Sequence, residues 1–380
     1  MTIKNITVLG SGIMGHGIAQ VSAMAGYNVI LRDIEKQLLD KAMEKIKWSL
    51  DKLVSKQKIS EQESQKIFSK ITPKVELVDA LKDCDLLIEA VPEIMDLKKK
   101  VYAEVDSLAD EKTIYASNTS TLPITEIANT TKRPEKCIGI HFFNPPQLMK
   151  LVEVIPGQKT SKELVEITMS FVRSVSKEPV LCKKDVAGFI VNRIFIPLVH
   201  EAAWAMDRTN ASMTEIDSAI KFSLNFPMGI FELADFTGLD VIHKATIEMY
   251  SRDKKVINPH PLIKQLFDQK RLGQKSGTGF YTYVGEKYER INLSEELAKK
   301  FNPIQLLGTI LNNTAWLITN QVSDIQEIEK ALNLGMGLRK PIFETAKQFG
   351  LPNVIRELQS LAKNYGGFYE PDSYLISVQS

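Results

Sequence analysis

The chain has 380 residues, enough for two or three domains with a large core. Its 48 basic and 46 acidic residues leave a formal net charge of +2, without long runs of one sign, which argues against nucleic acid as a partner. Three widely spaced cysteines, Cys84, Cys137 and Cys182, lack any C-x-x-C pattern and indicate neither a disulfide framework nor a zinc site. No apolar stretch is long enough to span a bilayer and the chain enters its first strand at once, so a cytoplasmic protein without metal or membrane is expected.

Residues 6–9 form an apolar run that stops at glycine, which suits a buried strand. Residues 12–26 read as a helix ended by Gly26, and "NVILRD" as a second strand. In that context the G-x-G-x-x-G of Gly10, Gly12 and Gly15 is a dinucleotide-binding fingerprint. Gly10 permits the turn, Gly12 lets a pyrophosphate approach the backbone, and Gly15 lets the helix pack against the sheet. The phosphates would meet the amides that open the helix, at Ile13 and Met14. Asp33 ends the second strand, where a carboxylate accepts ribose hydroxyls and repels a 2′-phosphate. NAD is therefore favoured over NADP, although Arg32 next door could host such a phosphate.

Two helical stretches follow, at 35–56 and 60–70, then a strand in "DLLIEAVP" and a helix at 97–109. The lysines of "DLKKKVY" read as a solvated helix face. "KTIYASNTS", "KCIGIHFFNPP", "KLVEVIPG" and "EPVLCKK" carry further strands. This alternation predicts an α/β, Rossmann-type doubly wound sheet with a largely parallel core. From Gly188 onward long helical runs dominate, beginning with "GFIVNRIFIPLVHEAAWAMDR". The expected organisation is a nucleotide-binding domain over 1–185 and an all-α region of two modules, 186–290 and 291–380.

The two modules are expected because the helical region matches itself at an offset of 112 residues. Ala203 and Trp204 fall on Ala315 and Trp316, Phe231 and Glu232 on Phe343 and Glu344, and Gly238 and Leu239 on Gly350 and Leu351. Asn192 falls on Ile304, so its role is not repeated.

Oxidising an alcohol with a nicotinamide requires a base, and histidine suits it. His16 lies in the glycine loop, His200 and His243 within helical runs, and His260 in a proline-flanked turn. His141 differs. It ends an apolar strand, where an open α/β sheet places its ligand. Glu153 is a charge between valines in the next strand, costly unless paired, and pairing with His141 would fix the imidazole tautomer. Ser117, Asn118 and Ser120 follow another strand, as helix-capping or ligand-binding groups, and Glu93 lies after the strand in "DLLIEAVP". Asn192 is a polar residue within the apolar "GFIVNRIF".

Taken in order, "GSGIMGHGIAQ", "IEAVPE", "SNTS", "HFFNPP…MKLVEVI", "GFIVNR", "NFPMGIFELADFTGLD" and "GQKSGTGFYTY" resemble the 3-hydroxyacyl-CoA dehydrogenase family over about residues 4–283. The resemblance implies reversible, NAD-dependent oxidation of an (S)-3-hydroxyacyl-CoA to the 3-oxoacyl-CoA. His141 would be the base and Glu153 would orient it. Ser120 and Asn192 would bind the reacting oxygen. Glu93 and Asn118 would lie by the cofactor, and Lys98 would help hold cofactor and CoA. Simple dimeric members end shortly after the G-x-G-F-Y segment, so the second helical module resembles the dehydrogenase portion of multifunctional fatty-acid oxidation proteins. It implies an internal pseudo-dimer that is a monomer or assembles through another surface, with any enoyl-CoA hydratase or thiolase supplied separately. The alternatives are a related gulonate-type sugar-acid dehydrogenase and a non-catalytic NAD-binding protein.

Overall fold

The protein is described by a computed structural model that covers residues 3–283 and 292–378. It divides into two compact units, Met1–Asp185 and Val186–Ser380.

The first unit is built on an eight-stranded sheet. Its strands are β1 (Asn5–Leu9), β2 (Asn28–Arg32), β3 (Ile71–Lys74), β4 (Leu86–Glu89), β5 (Ile114–Ser117), β6 (Cys137–Phe142), β7 (Leu151–Pro156) and β8 (Glu178–Leu181). Their spatial order is β3-β2-β1-β4-β5-β6-β7-β8. Every neighbouring pair is parallel except β6 and β7. The α-helices among the described residues of this unit are α1 (Ile13–Met24), α2 (Lys36–Ser55), α3 (Glu61–Ser69), α4 (Leu77–Leu81), α5 (Met95–Leu108), α6 (Ile124–Ala128) and α7 (Lys162–Ser174). The central strands are continuous apolar runs because helices cover both faces of a parallel sheet, and β4 and β5 are buried at every position. In α2 the buried residues are Leu39, Ala42, Ile46 and Leu50, a helical stripe facing the sheet. Strand β3 departs from the sequence reading, which has no strand there. Only Ile71 of its four residues is buried, and Pro73 fits because β3 lies at the sheet edge.

The sheet reverses strand order between β1 and β4. The chain leaves β1 for β2 on one side, while β4 and β5 continue on the other. That switch point is where an open sheet receives a nucleotide.

The described residues of the second unit are largely helical. They form α8 (Val191–Thr209), α9 (Met213–Ser218), α10 (Ile230–Thr237), α11 (Leu239–Arg252), α12 (Pro261–Asp268), α13 (Glu295–Ala298), α14 (Ile304–Thr319), α15 (Ile325–Met336), α16 (Ile342–Phe349), α17 (Leu351–Tyr365) and α18 (Ser373–Ser377). Helix α8 opens later than the sequence suggests. Gly188 and Phe189 both have positive φ, at 81° and 53°, so the helix begins at Val191. Helices α9, α10 and α11 begin at Met213, Ile230 and Leu239, and α15, α16 and α17 begin 112 residues later, at Ile325, Ile342 and Leu351. Gly238 and Gly350 precede the last pair in the same left-handed region, with φ of 102° and 76°. The two expected modules lie within one compact unit, and α8 packs along α14. The join expected near residue 290 falls outside the described residues.

His200 is buried in this unit. Its Nδ1 accepts the His260 backbone N–H at 3.0 Å, so Nε2 carries the proton and donates to Thr246 Oγ1 at 2.8 Å. Burial pushes its pKa down to about 3, with smaller contributions from His260 and His243. The unfolded chain takes up this proton below its ordinary value near 6.5, whereas the folded chain does so only near 3. Stability is therefore present above pH 6.5 and is lost as the pH falls through that window. At about 1.4 kcal/mol per pH unit, the helical unit should lose about 2 kcal/mol between pH 6.5 and pH 5. Urea unfolding at the two pH values checks this. His200→Gln should flatten the difference; an unchanged pH dependence in that variant would contradict the account.

Candidate active site

The turn after β1 is shaped by close approach. Gly10 has φ +93°, and a Cβ there would stand 2.6 Å from the Ala90 carbonyl oxygen, just after β4. A Cβ on Gly15 would lie 1.7 Å from the Gly10 carbonyl oxygen, so α1 rests directly on the turn. Gly12 is different: a Cβ there would meet nothing within 4 Å. Its bare backbone borders open space at the start of α1, and no side chain caps that helix. This is the cradle that a pyrophosphate requires, with the positive end of the helix dipole at its back. His16 turns its Nδ1 to the Gly12 carbonyl at 2.7 Å rather than outward to a ligand.

Asp33 follows β2. Its Oδ2 accepts both the N–H and the hydroxyl of Ser11, each at 2.7 Å, and its Oδ1 accepts the Ile34 N–H at 2.7 Å. These bonds tie the carboxylate to the glycine turn and fix its position. Arg32 is engaged elsewhere, donating from Nε to the Val75 carbonyl at 2.9 Å.

Behind the ends of β4 and β5 lies a buried charge network that sequence reading missed. Glu89 closes β4 with no exposed surface and accepts Ser117 Oγ at 2.7 Å and the Val91 N–H at 2.8 Å. Lys98 reaches in from α5 and pairs with Glu89 at 2.6 Å and with Glu93 at 3.3 Å. Glu93 in turn accepts the hydroxyl of Thr119 at 2.6 Å and the Ser120 N–H at 2.8 Å. Desolvation pushes the Glu93 carboxyl up, but the Lys98 charge and these hydrogen bonds outweigh it and hold it below the ordinary range. For Lys98, burial lowers the pKa, the two carboxylates raise it, and the net shift is upward.

This placement corrects one reading. Lys98, expected as a cofactor and CoA contact, is 1 % exposed and is held by two carboxylates. The corrected reading is that of "DLKKKVY" as a solvated face: Lys99 pairs with Glu126 at the surface, while its neighbour Lys98 is buried. The available signal was Glu89, an acid ending an apolar strand, which needs a buried partner just as Glu153 does. Removing one member of a buried pair leaves an uncompensated charge and costs about 3–5 kcal/mol. Lys98→Met should therefore destabilise the first unit by that amount in denaturant unfolding. A loss under about 1 kcal/mol would show that the network is solvated.

His141 and Glu153 are brought together by strand register. Antiparallel β6 and β7 place the two residues directly opposite each other, on one face of the sheet. His141 Nδ1 lies 2.7 Å from Glu153 Oε2, with the histidine side chain 6 % exposed and the glutamate side chain fully buried. A carboxylate can only accept, so Nδ1 carries the proton in this pair and Nε2 presents its lone pair in the neutral ring. The Phe143 ring packs on the imidazole with centroids 4.5 Å apart. Asn118 follows β5, and its Oδ1 accepts the Phe142 N–H at 2.9 Å, tying the loop after β5 to the end of β6. Ser120 stands two residues on, partly exposed, with its backbone held by Glu93. Asn192 lies in the first turn of α8, in the second unit.

Two family models cover most of the chain. Residues 5–186 match the NAD-binding domain of 3-hydroxyacyl-CoA dehydrogenase and residues 188–283 its C-terminal domain. The mitochondrial hydroxyacyl-coenzyme A dehydrogenase of Rattus norvegicus is 40% identical over 288 residues, spanning 74% of this chain and 91% of that protein. The 3-hydroxybutyryl-CoA dehydrogenase of Clostridioides difficile is 43% identical over 280 residues, spanning 73% and 99%. Among solved structures, the 3-hydroxybutyryl-CoA dehydrogenase of Escherichia coli K12 superposes with a TM-score of 0.89 at 27% identity, covering 100% of this chain and 98% of that one. The glycine cradle, the acid after β2 and the paired histidine stand in a chain that belongs to the 3-hydroxyacyl-CoA dehydrogenase family.

Proposed function

We propose that this protein interconverts (S)-3-hydroxyacyl-CoA and 3-oxoacyl-CoA with NAD, and that His141 is the general base. The observation that carries the reading is the 2.7 Å pair of His141 with a fully buried Glu153 at the end of an apolar strand. NAD supplies the hydride acceptor for the oxidation. Gly10, Gly12 and Gly15, with the amides of Ile13 and Met14, cradle its pyrophosphate, and Asp33 accepts from the adenosine ribose. His141 Nε2 takes the substrate's hydroxyl proton, and Glu153 stabilises the imidazolium that results. Ser120 and Asn192 hydrogen-bond the reacting oxygen. Glu93 and Asn118 border the cofactor, and Lys98, held between Glu89 and Glu93, helps hold cofactor and CoA. The three cysteines are buried and free, and burial pushes Cys84 to about 11 and Cys137 to about 12, which suits the reducing, cytoplasmic setting of the proposal.

Residues 291–380 form a second, degenerate copy of the helical module in this reading. Three helix starts repeat at 112 residues, and the E. coli structure covers the whole chain where the family models stop at residue 283. The copy occupies the α8 face from within the chain, so light scattering should show a monomer or an oligomer joined through another surface.

Incubation with acetoacetyl-CoA and NADH tests the function by loss of nicotinamide absorbance. Turnover of gulonate without turnover of the thioester would select the sugar-acid alternative, and NADH binding with no turnover of either would select a non-catalytic protein. Asp33→Ala should weaken NADH binding about ten- to hundredfold, as expected for a lost charge-assisted hydrogen bond. It should also narrow the preference over NADPH. Fluorescence titration with both cofactors checks this, and a wild-type preference for NADPH would contradict the placement of Asp33.

A further inference from the structure

The entry into α8 is held in a costly conformation. Gly188 and Phe189 have φ of 81° and 53°, and Phe189 is fully buried. A bulky residue in the left-handed region persists only where its surroundings over-determine it. One fixing contact is local: the Arg193 N–H donates to the Gly188 carbonyl at 2.9 Å. Another comes from the Arg193 side chain, which is 3 % exposed. Its Nη2 pairs with Asp253 Oδ2 at 2.8 Å, while Nε and Nη1 find no hydrogen-bond partner. The guanidinium lies instead over the ring of Trp316, with Cζ 3.8 Å from the centroid. Trp316 belongs to α14, in the second half of the helical unit.

The arrangement is one-sided. At the 112-residue offset Trp316 corresponds to Trp204, but Arg193 corresponds to Gln305 and Asn192 to Ile304. Trp204 makes different contacts, donating to the Asn258 carbonyl at 2.8 Å and meeting the His260 ring at 4.4 Å between centroids. The arginine that stacks is thus present only in the half that carries the asparagine. Successive side chains on a helix are separated by about 100°, so pinning Arg193 into the interior sets the rotation of the first turn and with it the direction of Asn192.

We propose that Trp316 is a positioning residue for Asn192, acting through Arg193, so that the second helical module sets the geometry of a substrate contact as well as covering an apolar face. This rests on the reading that Asn192 binds the reacting oxygen.

The test is a double-mutant cycle in the full-length enzyme, reading kcat and KM for acetoacetyl-CoA, the NADH Kd and the thermal midpoint. Trp316→Ala should lower kcat about thirtyfold, the scale of a desolvated cation–π contact, and leave the NADH Kd unchanged. Trp316→Phe, which keeps an aromatic face, should recover most of the loss. In an Asn192→Ala background Trp316→Ala should cost nothing further, because the contact it positions is gone. An equal loss in both backgrounds would make Trp316 a general scaffold residue and overturn the proposal. Wild-type kcat in Asn192→Ala itself would remove Asn192 from the chemistry and overturn the underlying reading as well. Should Trp316→Ala fail to fold, Arg193→Lys carries the same cycle, since it keeps a cation for Asp253 and loses the planar face.

Discussion

His141→Gln is expected to bind NADH with near wild-type affinity and to lose about 10²–10⁴-fold in kcat, the usual effect of removing a general base. Cofactor binding is spared because Gly10, Gly12, Gly15 and Asp33 stand on the β1 and β2 turns, while His141 lies near the end of β6. Glutamine is the informative replacement. Glu153 is fully buried, and an alanine opposite would strip away the donor that faces it, at about 3–5 kcal/mol. The glutamine amide can donate to that carboxylate, so lost turnover is separated from lost folding. Stopped-flow oxidation of NADH, paired with a fluorescence titration of the cofactor, reads the two quantities. Turnover within a few-fold of wild type would remove His141 from the role of base.

Glu153→Gln should also cost about 10²–10⁴-fold in kcat, by another route. The carboxylate can only accept, which places the proton on Nδ1 and the lone pair on Nε2. An amide can present its NH₂ group to Nδ1 instead. The imidazole then carries its proton on Nε2 and has nothing there to receive the substrate's. The lost negative charge also removes the partner of the imidazolium formed during oxidation. NADH affinity and the thermal midpoint should change little, since glutamine has the same shape. A drop in kcat with both preserved separates orientation of the base from support of the fold; an unaltered kcat would show that Glu153 does neither of these tasks for His141.

Where the sequence alone sufficed, it did so because a physical constraint leaves few residues able to meet it. Gly10 must take φ +93° beside the Ala90 carbonyl, and only glycine does so without strain. Glu153 and His141 stand out because charge inside an apolar strand demands a partner, and the antiparallel register supplies one directly opposite. Strand β3 escaped notice because a sheet-edge segment with one buried residue carries neither apolar alternation nor a continuous apolar run. The Lys98–Glu89 pair escaped for a different reason. Lys98, Lys99 and Lys100 are alike in the sequence, and only the packing of α5 on β4 decides which meets Glu89. Asn118 shows the same limit, since its carbonyl bonds to the Phe142 backbone in another strand. The strain at Gly188 and Phe189 was hidden too, because the apolar pattern of "GFIVNRIF" reads as unbroken helix.

The most direct test of the account is the fate of the hydride. Acetoacetyl-CoA is incubated with NADH carrying two deuterium atoms at nicotinamide C4, and the thioester product is examined by mass spectrometry. The account predicts 3-hydroxybutyryl-CoA with one deuterium on C3, formed by the wild-type protein and reduced at least a hundredfold in His141→Gln. Recovery of unchanged acetoacetyl-CoA from the wild-type protein with NADH bound, or equal labelling by His141→Gln, would contradict it.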